Sequence, residues 1–262
     1  MTRTFKQLLA QKDHLIRVFS IARVVHPVVI DLLGLAGGYD GFWLDQEHGG
    51  LTYEQICLGA VCARANNLDC FVRMAPTNYA QATQCLEAGA GGLMAARVES
   101  AAQAEEFVRW AKFSPRGIRG MNTGGRDAHF THKTQQQFAE DANREHFISI
   151  QIEMMGALDE VDAIAAIDGV DLLFLGPSDM SQALGHLGEV GHPKVWEAID
   201  RMAAACRRHG KHWGTLPADE AYAARAVDKG CRFLIMGGDV LCLRRGIEAV
   251  KHTFAPQFPQ VL

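Results

Sequence analysis

The 262-residue sequence lacks the patterns that mark several large protein classes. Its seven cysteines include no Cys-x-x-Cys pair, which favours reduced thiols in a cytoplasmic protein over a disulfide framework. No Gly-x-Gly-x-x-Gly or Gly-x-x-x-x-Gly-Lys loop is present, which argues against the usual nucleotide-binding folds. No His-x-x-x-His pair occurs either, and the nearest pattern, HFTH at 129–132, is more typical of a polar loop than of a zinc site.

A surplus of positive charge and long apolar runs are also missing. Lysine and arginine total 26 against 30 acidic residues, so the net charge of -4 gives no general attraction for nucleic acid or an anionic membrane. Charged residues interrupt the apolar N-terminal segment, and no charge-free run is long enough to cross a bilayer. We therefore expect a globular protein with neither a nucleic-acid nor a membrane partner, without a signal peptide or a membrane anchor.

Short apolar runs of strand length alternate with longer stretches of helical period along the chain. This alternation is typical of repeated βα units with a parallel sheet. Eight units in 262 residues, about 33 residues each, favour a (β/α)₈ TIM barrel as a single domain over 1–262, with a doubly wound open sheet as the alternative. The predicted strands are 15–20, 40–45, 69–74, 91–96, 147–153, 170–176, 211–216 and 231–237.

The connection at 97–146 is longer than the others. It contains two helical patterns separated by a Gly- and Arg-rich stretch at 114–133. A stretch of that length inside a compact domain is more often an active-site loop or lid than a passive link. We therefore expect residues 97–146 to carry such a loop.

Reactive groups in a (β/α)₈ barrel collect at the C-terminal ends of the strands. Several titratable side chains follow predicted strands at intervals of about one βα unit, such as 45 to 73 and 153 to 179, so they are expected to share one mouth. These residues, with an amide on the same strand face, are Asp45, Glu47, His48, Arg73, Gln151, Glu153 and Asp179.

This cluster points to metal-assisted chemistry on a small anion. The carboxylates of Glu153 and Asp179 suit a hard octahedral cation such as Mg²⁺ or Mn²⁺. A neighbouring acid can make His48 a better base, and Arg73 can hold an anion. A Schiff-base mechanism is disfavoured because no lysine ends a predicted strand. The structural alternatives are helix capping by the acids, a surface position for the histidine and a salt bridge for the arginine.

Two longer motifs resemble the HpcH/HpaI aldolases, a family of metal-dependent class II pyruvate aldolases. WLDQEHGG at 43–50 is similar to the family's D-x-E-H segment, and residues 150–185 are similar to its QIE segment, IDGVD strand and GPxD loop. The resemblance covers roughly residues 16–250. Shorter matching stretches are RMAP (73–76), LEAGAGGL (86–93), SPRGIRG (114–120) and KGCRFLIMGGDV (229–240).

The resemblance implies a reaction and a role for each site residue. Glu153 and Asp179 would hold Mg²⁺, Mn²⁺ or Co²⁺, and a 4-hydroxy-2-oxo acid would be cleaved reversibly to pyruvate and an aldehyde through an enolate. His48, held by Asp45, would belong to the acid/base system, and Arg73 would be catalytic through the substrate's oxo oxygen. The other implied substrate contacts are Gln151, Gly176, Pro177, Ser178 and Leu216.

The resemblance also implies a cytoplasmic homo-oligomer, a trimer or hexamer, with C-terminal helices exchanged between barrels. Ala96 and Arg97 stand where the family has proline and methionine, and Glu87 replaces a shorter aspartate at a place where neighbouring subunits contribute to the site. The 121–133 loop also departs from the family pattern. These departures concern aldehyde recognition and the loop more than the metal site.

Two alternatives stay open. One is lyase action on a CoA thioester, or decarboxylation of oxaloacetate, which also passes through a metal-bound enolate. The other is a non-catalytic barrel that binds a small oxo acid.

Overall fold

The computed structural model describes residues 3–259 and contains one closed barrel of parallel strands. The strands follow one another around the barrel in chain order, and the last pairs with the first. The predicted (β/α)₈ barrel is confirmed, and the open-sheet alternative is wrong. The strands are β1 (Ile16–Ile21), β2 (Gly41–Asp45), β3 (Asp69–Met74), β4 (Gly92–Ala95), β5 (Phe147–Ile152), β6 (Leu172–Leu175), β7 (His212–Thr215) and β8 (Phe233–Gly238).

Helices connect the strands and surround the barrel. Several begin at side chains that cap the helix, such as Thr52 and Thr134, each of which forms a reciprocal capping box with a glutamine three residues later. The helices are α1 (Phe5–Leu9), α2 (Pro27–Ala36), α3 (Gln46–Gly49), α4 (Tyr53–Ala65), α5 (Tyr79–Glu87), α6 (Ala101–Ala111), α7 (Gln135–Glu145), α8 (Met155–Asp159), α9 (Val161–Ala166), α10 (Pro177–Ala183), α11 (Pro193–Arg208), α12 (Glu220–Asp228) and α13 (Asp239–Thr253), followed by a 3₁₀ turn at Ala255–Gln257.

The predicted strands match the observed ones, with small differences at their ends. The sixth prediction, 170–176, is too long because Gly176 caps α10 and Pro177 occupies its first position. Among the residues that the structure describes, no helix is both long and apolar enough to span a membrane.

Aromatic side chains fill the amino-terminal end of the barrel. Phe5 of α1 is fully buried, and its ring centroid lies 5.5 Å from that of Phe71, 5.9 Å from Phe147 and 5.6 Å from Phe233. The backbone N–H of Phe5 donates to the buried carboxylate of Asp69 at 2.7 Å. This plug leaves the carboxyl-terminal end of the barrel as the open mouth, where the predicted site residues lie.

The loop between α6 and α7 packs beside α5. The backbone N–H of Arg126 donates to the carbonyl of Glu87, and the side-chain amide of Asn122 donates to its carboxylate, both at 2.9 Å. Because α5 runs from the mouth toward the opposite end, Glu87 lies away from the mouth of its own barrel. The lid expected within 97–146 stays a prediction.

Lys112, directly after α6, ties this connection to the barrel. Its amine is buried and donates to the carbonyls of Asn143 at 2.9 Å and His146 at 3.0 Å. Burial, together with the nearby positive charge of Lys6, lowers the pKa of Lys112 to about 7. The native protein therefore carries a neutral amine at a pH where an unfolded lysine is charged.

We expect the substitution Lys112→Met to flatten the pH dependence of stability above neutral pH. Between about pH 7 and the ordinary lysine pKa, only the unfolded state holds this proton, so the wild-type free energy of unfolding rises with pH. The slope from this group approaches about 1.4 kcal/mol per pH unit. Urea unfolding at several pH values measures it, with Lys194→Met on the surface as control. Parallel pH profiles for wild type and Lys112→Met would contradict the expectation.

Candidate active site

A buried ion pair joins the ends of β2 and β3. The strand register places Asp45 directly opposite Arg73. Arg73 donates to both carboxylate oxygens of Asp45, from Nε at 3.1 Å and from Nη2 at 2.6 Å. Its third nitrogen, Nη1, lies 3.4 Å from Oε2 of Glu47. A two-point contact of this kind fixes the plane of the guanidinium as well as its position.

Trp43 supports the same guanidinium from inside the barrel. The central carbon of the Arg73 guanidinium lies 4.3 Å from the centroid of the Trp43 ring, and the indole N–H donates to the hydroxyl of Ser20. Trp43 and Asp45 are two residues apart on β2, so they share one face of the strand. Trp43 is not among the site residues predicted from the sequence, although the alternation of side chains along β2 places it on the same face as Asp45.

His48 lies at the mouth, but its ring does not contact Asp45. Asp45 caps α3 and accepts a hydrogen bond from the backbone N–H of His48 at 3.2 Å. The imidazole is 62% exposed, and its Nε2 lies 3.8 Å from Oε2 of Glu47. The expectation that Asp45 holds His48 is therefore met only through the backbone, because the single turn of α3 turns the ring away from the strand end.

Glu153 follows β5 and is almost fully buried. Its Oε1 accepts a hydrogen bond from the backbone N–H of Arg97 at 2.7 Å, and its Oε2 accepts one from the side-chain amide of Gln151. Burial raises the pKa of Glu153 above its ordinary value, and the negative charges of Glu47 and Asp179 raise it further. The carboxylate is thus held in a position where an additional positive charge would stabilise it.

The start of α10 lies against Glu153. A Cβ on Gly176 would lie 2.6 Å from Oε2 of Glu153, so a larger residue would displace the carboxylate. Pro177 is buried, Ser178 is exposed, and Asp179 stands in the first turn of α10. Leu216, directly after β7, is exposed at the same end of the barrel.

The donor set at the mouth fits a hard divalent cation. Oε2 of Glu47 and Oε1 of Gln151 are buried oxygens without a hydrogen-bond partner among the described residues. Together with the carboxylates of Glu153 and Asp179, they make a site rich in oxygen acceptors and negative charge. Such ligands suit Mg²⁺ or Mn²⁺ rather than a soft metal. Glu47 and Gln151 would offer a bound cation two further oxygen acceptors.

A second group of ligand atoms lies between α10 and α11. Within residues 3–259, His186, Glu189 and His192 bring their ligand atoms within 4.8 Å of one another. The two imidazoles stack with centroids 3.5 Å apart and planes at 16°, and Nδ1 of His192 accepts a hydrogen bond from the backbone N–H of Lys194. Stacked rings direct their in-plane lone pairs side by side rather than at one point, so this arrangement suits loop packing better than a metal.

A family model and several known aldolases match most of this chain. Residues 27–245 match the family model described as HpcH/HpaI aldolase/citrate lyase. A 5-keto-4-deoxy-D-glucarate aldolase from Klebsiella pneumoniae subsp. pneumoniae is 32% identical over 250 residues, which cover 95% of this chain and 96% of that protein.

Solved structures share the fold. An HpcH/HpaI aldolase/citrate lyase family protein from Burkholderia cenocepacia J2315 has a TM-score of 0.88 and 30% identity, covering 97% of this chain and all of that one. CitE from Mycobacterium tuberculosis, in complex with magnesium and acetoacetate, has a TM-score of 0.57 and 18% identity over 87% of each chain. At that identity, the second likeness concerns the barrel alone.

We expect the substitution Asp45→Asn to lower the free energy of unfolding by about 3 kcal/mol, because it leaves the Arg73 charge buried without its partner. Asparagine still caps a helix, so the start of α3 should persist. Urea unfolding measures the change, and Asp45→Ala, which also removes the cap, is expected to cost about 1 kcal/mol more. A loss below about 1 kcal/mol in Asp45→Asn would show that the ion pair does not hold this part of the mouth.

Proposed function

The chain belongs to the HpcH/HpaI aldolase/citrate lyase family, as its two long motifs predict, and on that premise we propose that it is a divalent-metal-dependent aldolase. It would cleave a 4-hydroxy-2-oxo acid reversibly into pyruvate and an aldehyde. One observation supports this proposal. The buried carboxylate of Glu153, which has no cationic partner within residues 3–259, lies at the same barrel mouth as Asp179 and the fixed guanidinium of Arg73.

Glu153 and Asp179 are the residues that would hold the cation. Bound there, Mg²⁺, Mn²⁺ or Co²⁺ would supply the Lewis acidity that stabilises an enolate. The hydrogen bonds from Gln151 and from the backbone of Arg97 hold Glu153 in a single orientation. This support would keep the ligand carboxylate in place while substrate and product exchange.

Arg73 would bind the oxo oxygen of the substrate. Asp45 accepts one hydrogen bond from Nε and one from Nη2, which leaves the second N–H of Nη2 and the two of Nη1 as the remaining donors. Nη1 lies 3.4 Å from Oε2 of Glu47. Because the ion pair and Trp43 fix the guanidinium beforehand, these donors need little reorganisation as negative charge develops on the oxygen.

His48 would move the proton. Its exposed ring would reach a substrate hydroxyl at the mouth, either directly or through a water, and imidazole is a side chain well suited to general-base catalysis near neutral pH. In cleavage it would take the proton of the 4-hydroxyl, and in condensation it would take one from the methyl group of pyruvate.

The remaining substrate contacts follow from the neighbouring loops. Around Gly176, Pro177 and Ser178, the backbone N–H of Ser178 would receive the pyruvate carboxylate, since the first turn of a helix has unpaired donors. Pro177 has no N–H, and that of Gly176 donates to the carbonyl of Ile152 at 3.3 Å. Gln151 would contact the same end of the substrate, and Leu216 would supply an apolar wall.

Activity on a CoA thioester or on oxaloacetate would use the same enolate chemistry. The named relative acts on a keto acid of the sugar series, which favours a free oxo acid for this chain. A non-catalytic barrel is disfavoured because the acid, the base candidate and the arginine meet at one mouth. A cytoplasmic location stays a prediction.

The chain would also act as a homo-oligomer, because α13 contacts its own barrel mainly near its start and is exposed along most of its length. Beyond Asp239, almost every residue of this helix is exposed, including Val240, Leu243, Ile247 and Val250. Leu32 of α2, which lines an apolar groove of about 460 Å³ between α2 and the start of α13, is 62% exposed. Apolar surface of this extent favours packing against a neighbouring subunit, which is how an exchanged C-terminal helix would fit.

We expect metal-dependent release of pyruvate from a panel of 4-hydroxy-2-oxo acids. Chelated protein should be inactive and regain activity with Mg²⁺, Mn²⁺ or Co²⁺, while Glu153→Ala should not regain it. His48→Ala should lower kcat by about 100- to 10,000-fold. Glu106→Ala, on the outer surface of α6, is the control for removing an acid. Release that survives chelation and Glu153→Ala would refute the metal-enolate assignment, and activity confined to CoA esters would favour the alternative.

Charge on the apolar face of α13 should separate the subunits. We expect Leu243→Asp combined with Ile247→Asp to give a monomer by size-exclusion chromatography with light scattering, because a carboxylate is costly in an apolar interface. Arg244→Asp, on the same helix, tests the effect of charge alone. An unchanged mass in the double variant would exclude this face as the interface.

A further inference from the structure

A cavity at the end of the barrel opposite the mouth is lined mainly by basic side chains. Its volume is about 310 Å³. Two of its lining residues, Asp171 and Lys211, directly precede β6 and β7, which places the cavity at the amino-terminal ends of these strands. The basic lining residues are Lys6, Lys112, Arg116 and Lys211, and the acidic ones are Asp168 and Asp171.

Two of the lysine amines donate to backbone carbonyls in the wall of this cavity. Nζ of Lys112 donates to the carbonyl of Asn143 at 2.9 Å, and Nζ of Lys211 donates to that of Val170 at 2.8 Å. Both acceptor residues line the cavity, so both amines lie at its wall. A protonated amine has three N–H groups. Lys112 also donates to the carbonyl of His146, so it would retain one donor for a ligand, and Lys211 would retain two.

The lysine amines outnumber the carboxylates that pair with them. Lys6 lies 3.2 Å from Oδ1 of Asp171, whereas Lys112 and Lys211 have no ion-pair partner within residues 3–259. The other oxygen of Asp171 accepts a hydrogen bond from the backbone N–H of Ile148 at 2.9 Å. One carboxylate therefore serves three amines.

The remaining charged residues of the wall do not change this balance. Nη1 and Nη2 of Arg116 each donate to a carboxylate oxygen of Glu105 at 2.8 Å, so the charge of this arginine is paired. The side chain of Asp168 is 91% exposed and lies largely in solvent. The uncompensated positive charge of the cavity is thus that of its lysines.

Burial makes Lys112 the lysine most affected by the missing counter-charge. Its side chain is 1% exposed, and an ammonium buried without an anion is unfavourable. Burial accordingly lowers the pKa of Lys112 to about 7. An anion in the cavity would supply the absent charge and favour the protonated amine.

We propose that this cavity binds a phosphate group, either as inorganic phosphate or as a small phosphate monoester, at a site separate from the mouth. The three lysines reach it from α1, from the position directly after α6 and from the position before β7. Donors from several directions suit a tetrahedral oxyanion, and lysine binds phosphate as a point charge. A planar carboxylate is matched better by the fork of an arginine, and Arg116 already binds one.

Binding should be coupled to proton uptake by Lys112. The charged and titratable groups that face its amine are Lys6 on α1, Asp171 before β6, Arg116 after α6 and His146 before β5. Burial holds the pKa of His146 well below its ordinary value, so this ring stays neutral above pH 7. Lys112 would be neutral there in the free protein and charged in the complex, so the affinity for an anion should fall as the pH rises.

Isothermal titration calorimetry with sulfate tests the site. Sulfate is a tetrahedral dianion whose own charge does not change near neutral pH, and the protein is loaded with Mg²⁺ and saturated with pyruvate to keep sulfate from the mouth. We expect Lys211→Met to weaken sulfate binding by about 10- to 100-fold, because it removes hydrogen bonds from a charged donor. Lys194→Met, which removes an exposed lysine on α11, should change the affinity by less than about twofold.

The pH dependence tests the part played by Lys112. Above pH 7, the affinity of the wild type for sulfate should fall by up to about tenfold per pH unit, as expected for uptake of one proton. Titrations in buffers with different ionisation enthalpies measure this uptake directly. Lys112→Met should lose it, and Lys211→Met, which keeps the buried amine, provides the test of the site if Lys112→Met does not fold.

Competition distinguishes the two sources of the phosphate group. Inorganic phosphate and glycerol 3-phosphate are each added to the sulfate-bound protein. Displacement of sulfate by both would show that the cavity admits a monoester, and displacement by inorganic phosphate alone would identify the free anion as the ligand. Displacement by neither would overturn the proposal.

Three further results would also overturn it. The first is the absence of saturable sulfate binding by the wild type up to about 10 mM. The second is equal weakening in Lys211→Met and Lys194→Met, which would indicate general attraction to surface charge. The third is sulfate binding that Lys211→Met leaves unchanged, which would place the anion elsewhere on the protein.

Discussion

The buried pair of Asp45 and Arg73 is the interaction on which the mouth of the barrel depends. It follows from the register of β2 on β3, and it sets the plane of the guanidinium over Trp43. The same carboxylate caps α3, the turn that carries His48. One acid therefore fixes an anion-binding group and the start of the segment with the candidate base. Its burial makes the arrangement stiff, since moving either partner would leave a charge without compensation.

The carboxylate of Glu153 is held differently, by three contacts whose positions are set by the backbone. The N–H of Arg97, the amide of Gln151 on the same strand and the bare backbone of Gly176 surround its carboxylate. None of these three contacting groups carries a positive charge, and burial and the nearby acids Glu47 and Asp179 raise the pKa of Glu153. The barrel thus holds the carboxylate of Glu153 on one side of the mouth and the guanidinium of Arg73 on the other. This separation of a cation-binding acid from a fixed positive charge suits stabilisation of an enolate.

Much of this arrangement could be predicted from residue order. Alternating apolar runs locate the strands, and the barrel topology brings Asp45, Arg73 and Glu153 to one end. Contacts that depend on side-chain direction could not be predicted. The ring of His48 points away from Asp45 because α3 is a single turn. The left-handed backbone of Arg97 could not be predicted either, because glycine is the residue that usually signals this conformation. The packing of the 97–146 connection beside Glu87 likewise depends on tertiary contacts between segments far apart in sequence.

The aromatic plug around Phe5 closes the barrel from below, so the mouth is both entrance and exit. Under the proposed reaction, the pyruvyl part of the substrate lies deeper, between Arg73 and Glu153, and the aldehyde part lies outside it near the rim. Both products would leave through this one opening, so the product that lies nearer the rim would leave before the deeper one. The aldehyde would depart first and pyruvate last, and in synthesis pyruvate would bind first, so the closed floor of the barrel imposes an ordered kinetic sequence on a reversible reaction.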